Sequence, residues 1–376
     1  MILVSPILRL VLKIITLLIY IATALCCFGG YISPEITPMG SILTIGMPLM
    51  VTISAVVTLA WFCTGHWLIG AVGVLMFFVC ASPIRTWFPL NHKQEANPDT
   101  PQFTLLTWNT HHFSDLEHPA AARCRTIDEI LRIDADVVCL QETFSFSEKY
   151  VKNFNQAQMD SLMERYPYQL GDGTYDQRVL SKYPVRHIYF GKAYHYTLAE
   201  YFTIKIKGRE IAIANVHLPS FALDEEEKGI LTSTKEGVKE RENLGKRIIR
   251  KFETAIPMRA WAAERVIDGF ESLAMPVIVC GDFNDVPSSW TYRMFIKAGF
   301  KDAYTATNFF PTHTFWQKGL LFHLDQIFYR GSVAPLSVES IKIKTSDHYP
   351  LVATFDLLVD PYTYHPYDKN KHEISK

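Results

Sequence analysis

The chain is expected to fold as an α/β domain behind an apolar, membrane-directed N-terminal region. Between residues 102 and 357, short β-branched runs alternate with stretches of helical spacing, and most of the runs end in a polar side chain. The clearest run, Val277-Ile278-Val279-Cys280, leads into Gly281, expected to let the backbone turn sharply, and then into Asp282 and Asn284, whose i, i+2 spacing would put both side chains on one face if the extended conformation lasts that far. From Ile7 to Ile84, by contrast, the only Lys, Arg, Asp or Glu residues are Arg9, Lys13 and Glu35. With 376 residues, 48% of them hydrophobic, the chain is too long for one average domain and too apolar to be disordered.

The charge-poor region holds three candidate spans, at residues 8–30, 42–63 and 67–83. Each is near the ~20 residues that cross a hydrocarbon layer, the last being the shortest. A cleaved signal peptide would explain the first span alone, but its apolar run is too long and further spans follow. Arg9 and Lys13 lie on the N-terminal side of the first span while the loop 31–40 carries only Glu35, so the positive-inside rule puts the N-terminus in the cytoplasm. Three spans in an inner membrane then leave residue 86 onward extracytoplasmic. Arg85 and Lys93 pull the other way, and losing one span reverses the side, so a cytoplasmic domain stays open. Residues 1–85 are thus read as membrane-spanning, 86–101 as a linker containing Pro98 and Pro101, 102–357 as the soluble domain and 358–376 as a polar tail. The soluble domain is expected to fold without the spans, since it has its own strands, helices and turns.

Four of the seven cysteines (Cys26, Cys27, Cys63, Cys80) lie in the spans, Cys139 and Cys280 in strand runs and Cys124 in a helical pattern. No pair has zinc-site spacing, so buried thiols are the simpler reading than a disulfide framework.

Along the soluble domain, Phe103 to Trp108 reads as a strand that delivers Asn109. Arg123 to Ile133 has helical spacing, and Ala135 to Leu140 is a short strand ending in Gln141-Glu142. Arg178 to Val185 is an apolar segment broken by Pro184. Phe202 to Ile206 and Ile211 to Val216 alternate with period two around Gly208, a hairpin signal, and the second of them runs into His217. The stretch 223–256 opens with Asp224-Glu225-Glu226-Glu227 and closes with Lys246, Arg247, Arg250 and Lys251, which suits a solvated helical excursion aligned with its dipole. A separate helix, 258–273, leads to the strand at 277–280; a further helix at 291–298 follows. Asp325 lies inside an apolar strand pattern and needs a partner, and Asp347-His348 stands at the mouth of the last strand, 351–355.

Taken singly, a polar residue after a strand is an ordinary turn or cap. In order, however, Thr107-Trp108-Asn109, Leu140-Gln141-Glu142, Leu180-Ser181-Lys182-Tyr183-Pro184, Asn215-Val216-His217-Leu218, Gly281-Asp282-Phe283-Asn284, Leu324-Asp325-Gln326-Ile327 and Ser346-Asp347-His348-Tyr349-Pro350 resemble the motifs of the endonuclease/exonuclease/phosphatase family over residues 102–356. The resemblance implies a four-layer α/β sandwich, two packed mixed sheets flanked by helices, and hydrolysis of phosphoesters with Mg²⁺, Mn²⁺ being an alternative ion. It implies Glu142 as principal metal ligand with Asn109 beside it and Asp347 contributing. It further implies Asp282 and Asn284 positioning the attacking water and the phosphate, His217 stabilising charge on phosphorus, and His348 as acid/base partner held by Asp325. Asn284 thereby also counts as substrate-binding. Such residues suit the chemistry, because Mg²⁺ takes oxygen ligands and a clustered Glu-Asp-Asp set repels itself without a cation.

Two departures from the family pattern stand out. Tyr175-Asp176-Gln177-Arg178 replaces the small residues that many relatives carry there, which would let Arg178 face the phosphate; the other is the charged excursion. The substrate is left as a nucleic acid, nucleotide, phospholipid head group or inositol phosphate. Arg9, Lys13, Arg85 and Lys93 against Glu35, Glu95 and Asp99 leave the first 101 residues at +1, so the chain's −1 puts the rest near −2. No basic excess advertises nucleic acid. A membrane-anchored binding module that has lost catalysis is the competing reading, and it is disfavoured because every motif position holds a chemically competent side chain.

Overall fold

The computed structural model describes residues 6–143, 145–171, 176–188, 199–223, 227, 238–271, 273–317 and 319–358. The expected tail lies outside them except for Leu358, as does most of the charged stretch between 224 and 237.

Five helices come first: α1 (Pro6–Phe28), α2 (Met39–Ile45), α3 (Met47–Cys63), α4 (Trp67–Val79) and α5 (Ala81–Trp87). One helix, Pro6–Tyr31, is long and apolar enough to cross a membrane, or up to three are if each bent pair forms one span. The pairs α2/α3 and α4/α5 bend by 58° and 70°. Pro48 opens α3, where its missing N–H breaks nothing. The polar side chains of α1 and α3 face each other: Thr23 with Ser54 at 2.6 Å, Tyr20 with Thr58 at 2.8 Å, and Trp61 Nε1 donating to Thr16 at 2.9 Å. Hydroxyls paired in this way carry no unsatisfied polar cost among apolar neighbours.

These helices do not hang free. Val286, Phe322 and Leu324 of the following domain pack with Cys27, Met47 and Trp87, the Ser288 hydroxyl donates to the Pro83 carbonyl at 3.1 Å and bonds Thr86, and the Arg293 guanidinium lies 3.1 Å from the Tyr31 ring centroid. At Gly30 an added Cβ would overlap the backbone of Ser288 and Ser289.

The rest of the chain contributes β1 (Gln102–Asn109), α6 (Arg125–Ile133), β2 (Val137–Gln141), α7 (Gln156–Arg165), β3 (Tyr168–Leu170), β4 (Gln177–Ser181), β5 (Val185–His187), β6 (Ala199–Ile206), β7 (Arg209–His217), α8 (Val238–Glu271), β8 (Val277–Asp282), α9 (Trp290–Lys297), β9 (Lys301–Asp302), α10 (Ala303–Thr307), β10 (Phe315–Gln317), β11 (Leu320–Phe322), β12 (Asp325–Arg330), β13 (Val333–Ser340) and β14 (Leu351–Leu357). Two mixed six-stranded sheets form, in the orders β13-β14-β1-β2-β4-β3 and β5-β6-β7-β8-β12-β9, with β10-β11 a separate hairpin. Their inner faces share one core that includes Phe103, Leu105, Cys139, Phe202, Ile213, Ile278, Cys280, Ile327 and Phe355. Outside one sheet, α6 and α7 cover Leu106, Val138 and Leu140 through Ile127, Ile130 and Leu162. Outside the other, α8 and α9 cover Ala214, Val279 and Phe328 through Ala262, Val266 and Phe295. The four-layer α/β sandwich is therefore the fold. Residues facing both a helix layer and the second sheet must be apolar on both sides, which is why these strands read as continuous apolar runs. The β6-β7 hairpin turns at Lys207-Gly208, both at positive φ (47° and 87°), as a tight two-residue turn requires.

Three expectations change. The helices read as 223–256 and 258–273 merge: α8 runs through Pro257, which removes one internal hydrogen bond without ending the helix. The charged stretch is not wholly solvated, since Glu227 is buried and its two oxygens take Arg247 Nε and Lys251 Nζ at 2.6 Å each. Gly281 does not turn the chain; it lies inside β8 at φ 143°, where an added Cβ would overlap the Val216 backbone of the parallel neighbour.

Gly281→Ala should therefore cost about 1–3 kcal/mol of stability, from strain at a backbone conformation only glycine tolerates. Chemical denaturation of the purified variants checks this, and an unchanged midpoint would contradict the close approach. A second outcome concerns Asp302, buried under α9 and α10, where it accepts from Tyr304 N at 2.8 Å and Tyr292 Oη at 3.1 Å. Burial pushes its carboxyl up to about 6. A native value above the unfolded one means that the native state holds the proton longer, so this stabilisation is full below about pH 4 and is lost as the pH rises through 6. Asp302→Asn should flatten that decline, by on the order of 1–3 kcal/mol between pH 4 and 7, in unfolding experiments run across the range.

Candidate functional site

Strand polarity brings the polar ends together. β7 and β8 are parallel, with His217 opposite Asp282, and β12 is antiparallel to β8 with Asp325 opposite Asp282. One row across the sheet edge thus reads His217, Asp282, Asp325. In the other sheet β1 and β2 are parallel, with Asn109 opposite Gln141, and β14 runs antiparallel to β1, so its entry at His348 lies at the same edge. A cross-sheet bond, Gln141 Nε2 to Asn215 Oδ1 at 2.6 Å, ties the two edges; Asn215 Nδ2 reaches back to the Leu140 carbonyl at 2.9 Å.

Asp282 is the centre of the cluster and almost fully buried. Its Oδ1 accepts from Asn284 N at 2.8 Å and its Oδ2 from Asn109 Nδ2 at 3.0 Å. The same Asn109 amide reaches Glu142 Oε1 at 3.0 Å. Two imidazoles also converge on Asp282 Oδ2, His217 Nε2 at 3.9 Å and His348 Nε2 at 3.7 Å. Each is braced from behind at Nδ1, His217 on Asp176 Oδ2 at 2.6 Å and His348 on Asp325 Oδ2 at 2.8 Å. Because the carboxylates accept from Nδ1, both Nε2 atoms are presented to the cluster.

The electrostatics follow from this crowding. Burial pulls the His217 imidazole down, but the Asp176 hydrogen bond and the Asp282 charge more than offset it and lift its pKa to about 9. His348, also penalised by burial, is held well above the ordinary histidine value by Asp325 and Asp282. Burial raises the Asp282 carboxyl, with His348 opposing and Asp325 reinforcing the shift.

The backbone supports the set. Trp108 Nε1 donates to the His348 carbonyl at 2.9 Å, and the Ser346 hydroxyl donates to the Asn109 carbonyl at 2.7 Å and accepts from His348 N at 3.1 Å. Glu142 and Asn284 both take left-handed φ values, 52° and 50°. The extended chain therefore does not last to Asn284, whose side chain does not share a face with Asp282 but donates from Nδ2 to the Leu218 carbonyl at 2.9 Å. Asp347 is buried beside His348, its backbone carbonyl accepting from Trp316 N at 2.9 Å. Arg178 bonds the Gly171 carbonyl and lies 5.7 Å from the Phe146 ring centroid.

Asp176 was passed over in the sequence as a site residue. It lies in a loop before β4 with no strand-end motif of its own, and the only signal was that the segment departs from small residues. Asn109, Glu142, His217, Asp282, Asp325 and His348, by contrast, all meet.

The cluster suits a hard cation on its own chemistry. One neutral amide, Asn109, holds two carboxylate oxygens, those of Glu142 and Asp282, at 3.0 Å each, which leaves negative charge concentrated on oxygen. Ligand atoms of Asp282, Asp325 and His348 also lie within 4.8 Å of one another, the His348–Asp325 hydrogen bond accounting for one of those pairs.

Residues 106–348 match the family described as Endonuclease/Exonuclease/phosphatase family. Among curated proteins, "Uncharacterized protein YbhP" of Escherichia coli (strain K12) is 26% identical over 286 residues, covering 69% of this chain and 100% of that one. The Shigella flexneri protein of the same description matches equally. Solved structures of similar shape include the endonuclease/exonuclease/phosphatase from Bacteroides vulgatus, 16% identical with a TM-score of 0.44 over 68% of this chain and 99% of that one. The human Nocturnin catalytic domain with bound sulfate is 18% identical, with a TM-score of 0.42 over 68% and 94%. The family match covers more than half of the chain and every residue of the cluster from Asn109 to His348, so the chain belongs to the endonuclease/exonuclease/phosphatase family and is a hydrolase acting on phosphoester bonds.

Proposed function

We propose that this protein is a membrane-anchored, divalent-metal-dependent phosphoesterase whose catalytic unit is residues 102–357. The observation that carries the reading is the pair of histidines, His217 and His348, each braced at Nδ1 by a carboxylate and aimed through Nε2 at one buried oxygen of Asp282. Such an arrangement concentrates five ionisable groups where apolar residues would pack at lower cost. Support for the anchor comes from α1 and from the bent pairs α2/α3 and α4/α5, which have the length and apolarity of spans. Residues 1–85 then form the membrane region and 86–101 the linker, and the positive-inside count favours an extracytoplasmic catalytic domain.

Within the site, Glu142, Asn109 and Asp347 would hold Mg²⁺ or Mn²⁺, a cation that when bound neutralises phosphoryl oxygens and makes water a better nucleophile. Asp282 orients the attacking water through Oδ2, and Asn284 keeps Asp282 in place through its backbone N–H. His217, held protonated by Asp176, donates from Nε2 to a phosphoryl oxygen as charge grows there. His348 exchanges a proton at Nε2 with water or the leaving oxygen, while Asp325 keeps Nδ1 protonated. Arg178 would meet the more distant part of a substrate. The substrate class spans phosphodiesters and phosphomonoesters, with membrane tethering favouring one found at a bilayer surface.

The test is a metal titration of three purified proteins on bis-p-nitrophenyl phosphate, with EDTA as the zero point. His348→Ala should lose about 10²–10⁴-fold in turnover, the usual worth of general acid/base catalysis, and no metal concentration should restore it. Glu142→Gln should recover part of its activity as Mg²⁺ rises, because its defect is in holding the ion. Full rescue of His348→Ala, or near-normal turnover of the native enzyme in EDTA, would remove these assignments. Parallel assays on DNA, RNA, phosphatidyl and inositol phosphate substrates would then narrow the class.

A further inference from the structure

Arg259, on α8, is fully buried, and the mechanism above leaves it no part. Its Nε donates to the Pro219 carbonyl at 3.0 Å, its guanidinium carbon lies 4.3 Å from the Phe221 ring centroid, and its Nη1 lies 3.5 Å from Asp285 Oδ2. Pro219 and Phe221 follow His217 directly; Asp285 follows Asp282 and Asn284. A buried arginine is expensive, and an apolar side chain of like volume would usually fill the space with no loss of stability. Among the described residues Nη1 and Nη2 have no hydrogen-bond partner, nor has Asp285 Oδ2. The charge is thus paired loosely, at a separation that a small movement of either segment would open or close.

Those two segments are the ones whose spacing sets the distance between His217 and Asp282. They are joined by Leu218 N to the Asp282 carbonyl at 2.9 Å and by Asn284 Nδ2 to the Leu218 carbonyl at 2.9 Å. Arg259 adds a third tie, from the outside, and anchors it on a helix. The same helix holds the continuing chain through Phe252, whose ring centroid is 4.1 Å from that of Phe221, and through Lys251 Nζ, which donates to the Ala222 carbonyl at 2.7 Å. A planar guanidinium can lie against Phe221 while donating at Nε in one direction and facing Asp285 in another; a lysine ammonium cannot.

We propose that Arg259 is a positioning residue for phosphoester hydrolysis, clamping the segment after His217 to the segment after Asp282 and so fixing the separation of His217 Nε2 from Asp282 Oδ2. The proposal rests on the phosphoesterase reading of the site. It gives the α8 insertion a role in setting the catalytic geometry.

The experiment uses the full-length protein in detergent, as native, Arg259→Met, Arg259→Lys, Asp285→Asn and the double variant Arg259→Met/Asp285→Asn. A misplacement of about 1 Å costs on the order of 10²-fold, so Arg259→Met should lower kcat by about 10–100-fold with KM within about threefold of native. Arg259→Lys should recover part of that loss. The double variant should be no worse than Arg259→Met alone, because both changes break one contact. A folded Arg259→Met with native kcat would overturn the proposal, as would losses that simply multiply in the double variant. Should Arg259→Met fail to fold, Asp285→Asn decides alone: an unchanged kcat overturns the proposal. The ring-nitrogen resonances of His217 in ¹⁵N-histidine-labelled protein report the displacement without turnover. They should shift in Arg259→Met and Asp285→Asn, and unmoved resonances would overturn the proposal. Absence of metal-dependent turnover in the native protein would instead sink the phosphoesterase reading, and the resonances would still judge the clamp.

Discussion

The structure depends on keeping one carboxylate, Asp282, out of water. Its oxygens have Asn284 N on one side and Asn109, His217 and His348 on the other, drawn from strands of both sheets. An isolated buried carboxylate would protonate or unfold its surroundings. Here Asn284, Asn109, His217 and His348 donate or carry positive charge against the burial and the nearby Asp325, so the cluster is stable only when all the strand ends are in register. That requirement explains the parallel pairing of β7 with β8, the glycine at 281 that lets the two backbones close up, and the bond between Gln141 and Asn215 that locks one sheet to the other.

Much of this was legible in the sequence because strand ends are local. A β-branched run followed by Asn, Glu, His or Asp declares both the strand and the side chain that it delivers, as at Asn109, Glu142, His217 and Asp282, while His348 was legible from its place at the mouth of the last strand. Asp325 was marked by its misfit in an apolar pattern, and His348 is the partner that it needed. Residues whose importance comes from what lies across the fold escaped. Asp176 precedes β4 in a polar loop and looks like any turn residue. Arg259 stands in a helix crowded with basic residues, and nothing nearby in sequence distinguishes it from its solvated neighbours. β13 was missed because Pro335 interrupts it, yet the strand accommodates the proline at a register shift between Pro335 and Ser337.

Asn284 shows how a correct local pattern can carry the wrong geometry. The i, i+2 spacing suggested two side chains on one face, but a left-handed residue redirects the chain and commits the carboxamide to Leu218. Asparagine tolerates that conformation better than most residues, so the same preference that makes it a plausible ligand also makes it a good hinge pin.

The packing of the N-terminal helices on the loop that follows Asp282 has a mechanical consequence. A domain on a bare linker tumbles and presents its opening in every direction. This one is seated through Gly30, Tyr31, Thr86 and Trp87 against Val286, Ser288 and Arg293, so helices and catalytic edge turn together. Their relative orientation is set at folding, so whatever holds the helices also fixes the direction in which the catalytic edge opens.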